Sequence, residues 1–167
     1  MPEPIPDFFK ILKTFVKREV DFVVVGGVCA VLHGAPISTF DLDLVHSRTP
    51  DNLHRLLSVL DKLNAFFRER KDLRIVPDLS HVSSTGHQLL MTKFGPLDLL
   101  GTIGNGLSYE DIIDHTEEIN VSGFKLRILS LEKLIQIKEY IARGKDKAVL
   151  PILKRTLEEK LKLDHEK

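Results

Sequence analysis

Two aspartates, Asp41 and Asp43, lie in an apolar stretch and are separated by a single residue. On a β-strand this spacing directs both side chains to one face, with backbones about 6 to 7 Å apart. Two carboxylates in apolar surroundings repel each other and need a compensating cation. Because no histidine or cysteine cluster accompanies them, the pattern predicts Mg²⁺ or Mn²⁺ rather than zinc. Such ions usually complete their coordination with water and substrate phosphates, which points to a nucleotide ligand.

A glycine pair and a third acid extend this pattern along the chain. Gly26 and Gly27 follow an apolar run, and a strand that ends in glycines and opens into a helix presents backbone N–H groups to an anion. Asp98 lies in a later apolar run, "GPLDLL". On a strand next to Asp41 and Asp43, its carboxylate would complete a site able to organise two metal ions for phosphoryl transfer.

Each part of this pattern has a simpler explanation when it is taken alone. Asp41 and Asp43 could be a solvent-facing pair at a strand edge or a single calcium site. Gly26 and Gly27 could form an ordinary turn, and Asp98 could simply follow a hairpin. The occurrence of all of them in this order favours a metal site.

The elements that must position these residues follow from the spacing of apolar side chains. Helical periodicity predicts helices over about 7–18, over 50–64 and after Ser130, the last with Leu131, Leu134, Ile135 and Ile141 facing inward. A terminal helix is expected to be entered or kinked at Pro151. Apolar runs and turn residues predict strands at "DFVVV", "DLDLVH" and "LRIVP", two strands around a Gly95-Pro96 turn, and a hairpin around Ser122-Gly123.

Length and composition indicate one globular domain of the α/β (α+β) class. The chain has 167 residues, of which 43% are hydrophobic. We expect a mixed β-sheet backed by helices, with a core at about 20–130 and a helical part at about 130–165. Lys plus Arg and Asp plus Glu both number 24, so no global charge favours nucleic acid or a membrane surface. Cys29 is the single cysteine and no apolar run is long enough to span a bilayer, so we expect a cytoplasmic protein without a membrane partner.

The segments "VVVGGVCAVLHG", "STFDLDLV" and "GPLDLLG" resemble the nucleotidyltransferase superfamily that includes DNA polymerase β. "ISTFDLDLV", "FGPLDLL" and "ARGKDKAVLPIL" are similar to a branch of small nucleotidyltransferase-like proteins related to AbiEii-type toxins. The resemblance extends over about residues 21–153. It implies a polymerase-β-like fold for this chain.

The resemblance also implies a role for each part of the pattern. Asp41 and Asp43 would be ligands shared by two metal ions, and Asp98 would bind the catalytic metal near the acceptor hydroxyl and act as a base. Gly26 and Gly27 would line the triphosphate. Many members carry a serine directly after the glycine pair, where this chain has Val28. A bent loop would then have to bring in a replacement, for which the candidates are Ser38 and Thr39.

Three basic residues stand where the toxin-related branch carries a basic pattern near its C-terminus. Lys138, Arg143 and Lys145 would neutralise the triphosphate or the departing pyrophosphate. A solvated helix face is the alternative explanation for this charge cluster.

Other residues of the same types have structural explanations. Cys29 is expected to pack in the core and His33 to bond a backbone carbonyl. His81 and His87 flank an exposed loop that could meet an acceptor. The basic run over residues 68–74 could hold RNA phosphates or simply be solvated surface.

Together these observations predict a magnesium-dependent nucleotidyltransferase of the EC 2.7.7 type. It would transfer a nucleoside monophosphate from a nucleoside triphosphate such as ATP to an acceptor hydroxyl and release pyrophosphate. A small molecule, a tRNA or a protein could be the acceptor. One alternative is a degenerate member that binds a nucleotide or a partner without turnover. Another is a toxin–antitoxin component with a cognate antitoxin as its partner.

Overall fold

The computed structural model of the protein describes the backbone of residues 6–141 and 144–165, and the side chains of 6–141 and 147–165. The strands in this part of the chain are β1 Phe22–Val25, β2 Leu42–His46, β3 Phe66–Phe67, β4 His87–Thr92, β5 Gly95–Leu100, β6 Thr116–Val121 and β7 Phe124–Leu129. The α-helices are α1 Phe8–Lys17, α2 Gly26–Leu32, α3 Pro50–Lys62, α4 Leu79–Val82, α5 Tyr109–Ile112, α6 Leu131–Ile141 and α7 Gly144–His165. Two 3₁₀ helices span Arg68–Leu73 and Ile113–His115.

The strands form a single mixed sheet in the order β3-β4-β5-β2-β1-β7-β6. The pairs β2–β5 and β1–β7 are parallel, and the remaining pairs are antiparallel. Helix α1 packs with α3, while α2 packs with α6 and α6 with α7. The predicted mixed sheet backed by helices is therefore confirmed.

Strand β2 lies near the middle of the sheet and carries one of the predicted acids. Asp43 is paired with Val25 on β1 and with Asp98 on β5. The buried leucines that flank these two acids, Leu42, Leu44, Leu97 and Leu99, are fully shielded from solvent. Because both neighbouring strands are held by the core, the two aspartates face each other on a rigid support.

The predicted N-terminal and central helices are confirmed, and their ends follow from local chemistry. Asp7 caps α1 by accepting a hydrogen bond from the backbone of Lys10 at 3.2 Å. Helix α1 buries Ile11, Leu12 and Phe15. Helix α3 begins at Pro50, whose missing N–H would have no partner in the first turn. Its buried face comprises Leu53, Leu56, Val59 and Leu60 together with Asn52.

The strand predicted at "LRIVP" was wrong. Only Leu73 of this segment is helical, as the last residue of the 3₁₀ helix Arg68–Leu73; Arg74 follows in the left-handed region with φ 44°, and residues 75–77 form no regular element. Ile75 and Val76 are exposed, so this segment has no buried face that would hold a strand against the core. The two-residue strand β3 replaces it at the sheet edge, where the Phe67 N–H donates to the carbonyl of Ile75 at 2.9 Å.

Two turns also differ from the prediction. The hairpin between β4 and β5 turns at Lys93-Phe94, and Gly95 already pairs with Thr92 as the first residue of β5. The loop after Pro77 contains the short helix α4, which begins at Asp78 in a capping box with His81. Side-chain hydrogen bonds stabilise both segments locally: those of Asp78 and His81 at the start of α4, and those of Thr92 at the hairpin turn.

The C-terminal part is helical, as predicted. Ser130 caps α6 through a 3.2 Å bond to the backbone N–H of Lys133, and Leu131, Leu134 and Ile135 are buried. Ile141 was predicted to face inward but is 38% exposed. Pro151 lies inside α7. Helix α7 is the longest of the described helices yet too polar to cross a bilayer, and none of the others could do so.

Candidate active site

The glycine pair lets the backbone at the start of α2 lie directly against the side chains of Asp43 and Thr39. Helix α2 begins at Gly26, which has φ 69°, directly after Val25 ends β1. A Cβ atom on Gly26 would collide with Oδ2 of Asp43. A Cβ atom on Gly27 would lie 2.6 Å from Oγ1 of Thr39. Both glycines are therefore needed because side chains of this chain already occupy the space in front of them.

Asp43 and Asp98 form the centre of the site. They are partners in the parallel register of β2 and β5, and their side chains share a hydrogen bond. Asp98 is only 8% exposed. Burial, the charge and hydrogen bond of Asp98 and the charge of Asp41 raise the pKa of Asp43 to about 7. Two carboxyl groups in contact where water is scarce repel each other when both are ionised, and such pairs occur at functional sites.

Asp41 is placed differently from its predicted partners. It is exposed and lies just before β2 rather than within it. Its charge helps to raise the pKa of Asp43, so it lies near enough to the pair to interact with it electrostatically. Among residues whose positions are described, no three acidic, histidine or cysteine side chains are grouped closely enough to hold a metal ion as they stand.

Arg68 supplies a cation to this acidic centre. Its Nη1 atom bonds Oδ1 of Asp98 at 2.5 Å and the carbonyl of Leu90 at 3.0 Å. Burial alone would lower the pKa of Arg68, but the bond and charge of Asp98, with the charges of Asp41 and Asp43, raise it. In the sequence, Arg68 stands out only as part of a basic run, and its contact with Asp98 was not predicted. The signal was available, because a buried Asp98 required a positive partner somewhere in the chain.

The loop before β2 does bend back towards the glycine pair. Thr39 lies against Gly27, and its hydroxyl donates to the carbonyl of Asp41 at 3.2 Å. Ser38, by contrast, is exposed to solvent. Val28 is buried at 7% exposure and offers no hydroxyl. Of the two predicted substitutes, Thr39 is thus the one beside the glycines.

A cleft of about 250 Å³ opens beside Asp43 and Gly26. Lys138 on α6 lines it, and the charge of this lysine acts to lower the pKa of Asp43. His87 and Thr102 add polar groups at the cleft, and the ring Nε2 of His87 lies 3.2 Å from the carbonyl of Thr102. The apolar lining comprises Val25, Leu100, Ile103, Leu129, Leu134, Ile137 and Ile141.

The other predicted basic residues cannot be placed against the cleft. Arg143 lies outside the described residues. Lys145 lies in α7, but its side chain is outside the described part. Their role in neutralising phosphate stays a prediction.

The predicted structural roles of Cys29 and His33 are confirmed. Cys29 is fully buried and its thiol donates to the carbonyl of Leu129 at 3.2 Å, while burial raises the pKa of the thiol to about 12. His33 Nε2 donates to the same carbonyl at 2.7 Å, and Nδ1 accepts from Lys160 at 2.7 Å. Neither side chain is available for chemistry in this state.

The strand order, the glycine pair after β1 and the paired acids on β2 and β5 define a nucleotidyltransferase fold. Residues 96–167 match the model of a family described as nucleotidyl transferase of unknown function (DUF2204). That match contains Asp98 and Lys138 but begins after Asp43. No curated protein matches the chain in sequence.

Solved structures with the same fold cover most of the chain. The proposed nucleotidyltransferase TM1012 of Thermotoga maritima is 18% identical, with a TM-score of 0.55 over 91% of this chain and 93% of that one. The lincosamide antibiotic adenylyltransferase LnuA with bound lincomycin is 16% identical, with a TM-score of 0.60 over 88% and 94%. ANT(2'')-Ia in complex with adenylyl-2''-tobramycin is 16% identical, with a TM-score of 0.58 over 93% and 91%.

The solved structures confirm the predicted fold. The family match over residues 96–167 agrees with the predicted resemblance to nucleotidyltransferases. The narrower resemblance to the AbiEii-related branch stays a prediction, as do the roles of the individual site residues.

Proposed function

We propose that this protein is a cytoplasmic nucleotidyltransferase that moves a nucleoside monophosphate from a nucleoside triphosphate to an acceptor hydroxyl. The observation that carries the proposal is the contact between Asp43 and Asp98, in register on β2 and β5, beside a cleft and the Gly26 turn. The family match and the adenylyltransferases among the structural neighbours support the same reaction class.

The acids have the chemistry of a Mg²⁺ or Mn²⁺ site. Asp43 and Asp98 present carboxylate oxygens in direct contact, and burial together with the charge of Asp98 raises the pKa of Asp43. A cation beside the pair would favour the ionised form of both carboxylates. Asp41 is the third candidate ligand, and Asp41 and Asp43 would be shared by two ions. When bound, the metal would neutralise phosphate charge and make the acceptor hydroxyl easier to deprotonate.

The chain's own residues would bind and orient the reactants. Thr39 and the backbone at Gly26 and Gly27 would contact the triphosphate. Asp98 would accept the proton of the acceptor hydroxyl as its oxygen bonds to the α-phosphorus. The bond from that phosphorus to pyrophosphate would break, and Lys138, with Arg143 and Lys145 as further candidates, would neutralise the leaving group. Because Lys138 is supplied by α6, we further propose that the core and the helical part act as one domain.

The cleft supports a compact acceptor. Its volume of about 250 Å³ and its largely apolar lining suit one organic ring system better than a polymer. LnuA with lincomycin and ANT(2'')-Ia with an adenylylated tobramycin each hold a small molecule. A hydroxylated small molecule is therefore our first candidate, ahead of a tRNA or a protein.

Calorimetry with each nucleoside triphosphate, in Mg²⁺ and in chelator, tests the proposal. We expect metal-dependent binding that Asp43→Asn and Asp98→Asn abolish. Asp72→Asn, an exposed acid outside the site, should bind like the wild type. Binding would then justify an acceptor search with labelled nucleotide, scored by pyrophosphate release. Binding that is indifferent to metal and to both site variants would refute the proposed site.

A degenerate nucleotide-binding protein is a second candidate. Two observations favour it. Val28 is buried and cannot supply the hydroxyl expected after the glycine pair, and Asp98 already forms an ion pair with Arg68. Metal-dependent nucleotide binding without pyrophosphate release in any acceptor screen would support it. The toxin form, with a cognate antitoxin, predicts growth arrest on expression that Asp41→Ala relieves.

A further inference from the structure

Arg68 reaches the acidic centre from the edge of the sheet. It begins the 3₁₀ helix that follows β3, and its side chain extends across β4, where it bonds the carbonyl of Leu90. The same nitrogen bonds Oδ1 of Asp98 at 2.5 Å. The side chains of Arg68 and Asp98 are only 23% and 12% exposed. The ion pair is therefore largely buried, unlike a contact between two solvent-exposed side chains.

The position of the ion pair has a consequence for any other cation. Asp98 is buried, so it needs positive charge close by whenever it is ionised. Arg68 supplies that charge in the protein alone. A divalent cation at Asp98 would approach the guanidinium closely, and two cations on one carboxylate repel strongly where water is scarce.

We propose that Arg68 is a positioning residue that holds Asp98 in the protein alone and competes with the divalent cation, which binds fully only when Arg68 is released. This inference rests on the proposed function, since it assumes that Asp98 is a metal ligand. Arg68 would thus set the metal concentration at which the site becomes active.

Metal binding by the whole chain tests the competition directly. Mg²⁺ and Mn²⁺ are titrated into wild type, Arg68→Gln and Arg70→Gln by calorimetry. We expect Arg68→Gln to bind about tenfold more tightly, within the usual range of coupling between two sites. Arg70 is a matched control, because it lies on the same 3₁₀ helix but is 63% exposed and pairs only with Asp72 among the described ion pairs. Arg70→Gln should leave the affinity unchanged.

Thermal unfolding supplies a readout that does not depend on catalysis. In chelator, Arg68→Gln should melt at a lower temperature than wild type, because Asp98 loses its partner. Saturating Mg²⁺ should then raise the melting temperature of Arg68→Gln more than that of wild type. A purely structural arginine would lower the melting temperature equally with and without metal, and that result would overturn the proposal.

Chemical modification tests the same point without a variant, should Arg68→Gln fail to fold. Phenylglyoxal modifies accessible guanidinium groups, and the rate at each arginine is read by peptide mass spectrometry. We expect Mg²⁺ to speed modification of Arg68 several-fold while leaving Arg70 unchanged. An unchanged or slower rate at Arg68 would contradict its release.

The outcomes separate this inference from the proposed function. If wild type binds a divalent cation and Arg68→Gln binds it no more tightly, the competition fails while the metal site stands. If neither wild type nor the variant binds Mg²⁺ or Mn²⁺, even with nucleotide present, the metal-dependent function fails and the competition with it.

Discussion

Asp43→Asn should make the protein more stable in the absence of metal while removing its metal site. Burial is the largest cause that raises the pKa of Asp43 from 3.8 to about 7, followed by the charge of Asp98. Ionised Asp43 therefore destabilises the folded state. Asparagine has nearly the same shape but carries no charge, so it avoids this cost. Site residues that oppose stability in this way are a known feature of functional centres.

The magnitude follows from linkage. The interval from 3.8 to about 7 corresponds to about 4 kcal/mol at about 1.36 kcal/mol per pKa unit. Because the folded state holds its proton more tightly than the unfolded state, this cost is absent below pH 3.8, grows as pH rises and is complete above about pH 7. Relaxation and the shared proton reduce the effect, so we expect Asp43→Asn to gain about 2 kcal/mol or more at pH 8.

Urea unfolding of wild type and Asp43→Asn in chelator, at pH 8 and pH 5, measures this gain. The advantage of the variant should shrink by more than half at pH 5, where the folded protein keeps Asp43 protonated. Asp72→Asn, on the surface, should show no such pH-dependent gain. A variant less stable than wild type at pH 8, or a gain independent of pH, would refute the electrostatic reasoning.

Three further predictions concern the surroundings of the site. Gly26→Ala should lower the free energy of unfolding by about 2 kcal/mol or more, because the added methyl group would collide with Asp43. Gly34 also has a positive φ but open space around it, so Gly34→Ala should cost only about 1 kcal/mol in the same urea unfolding experiment. Equal costs for the two variants would contradict the clash with Asp43. Burial lowers the pKa of His33, so the unfolding free energy should fall as pH drops below 6.5, and His33→Gln should flatten that dependence; an unchanged slope would refute it. Lys138→Met should weaken ATP binding by about tenfold in calorimetry through lost charge, and undiminished affinity would remove Lys138 from the phosphate site.

Local pattern was sufficient to predict the elements that carry the site. Asp43 and Asp98 interrupt apolar runs of alternating or continuous leucine and valine, and such runs are typical of central strands. The paired register of the two acids was not predictable, because it depends on β2 and β5 being parallel neighbours, which are separated in the chain by α3, β3 and β4. Their chemistry and the resemblance to nucleotidyltransferases suggested that they should meet.

The two failures have different physical origins. "LRIVP" has the composition of a strand, but no partner covers its side chains, so propensity alone did not determine its structure. Arg68 was missed for the opposite reason. Its sequence context is a charged surface run, and only the fold brings it to a buried carboxylate 30 residues away. Long-range pairing of this kind has no local signature.

The edge strand that precedes Arg68 has a consequence for local opening of the protein. Strand β3 has only two residues and is paired to β4 through Phe66 and Phe67, whereas β2 is held on both sides. Short edge elements open with much less free energy than central strands, so backbone amides over 66–73 should exchange with deuterium faster than those of β2 and β5. Arg68, which contacts the acidic centre, directly follows this short edge strand. Opening of that segment would expose the site without unfolding the core.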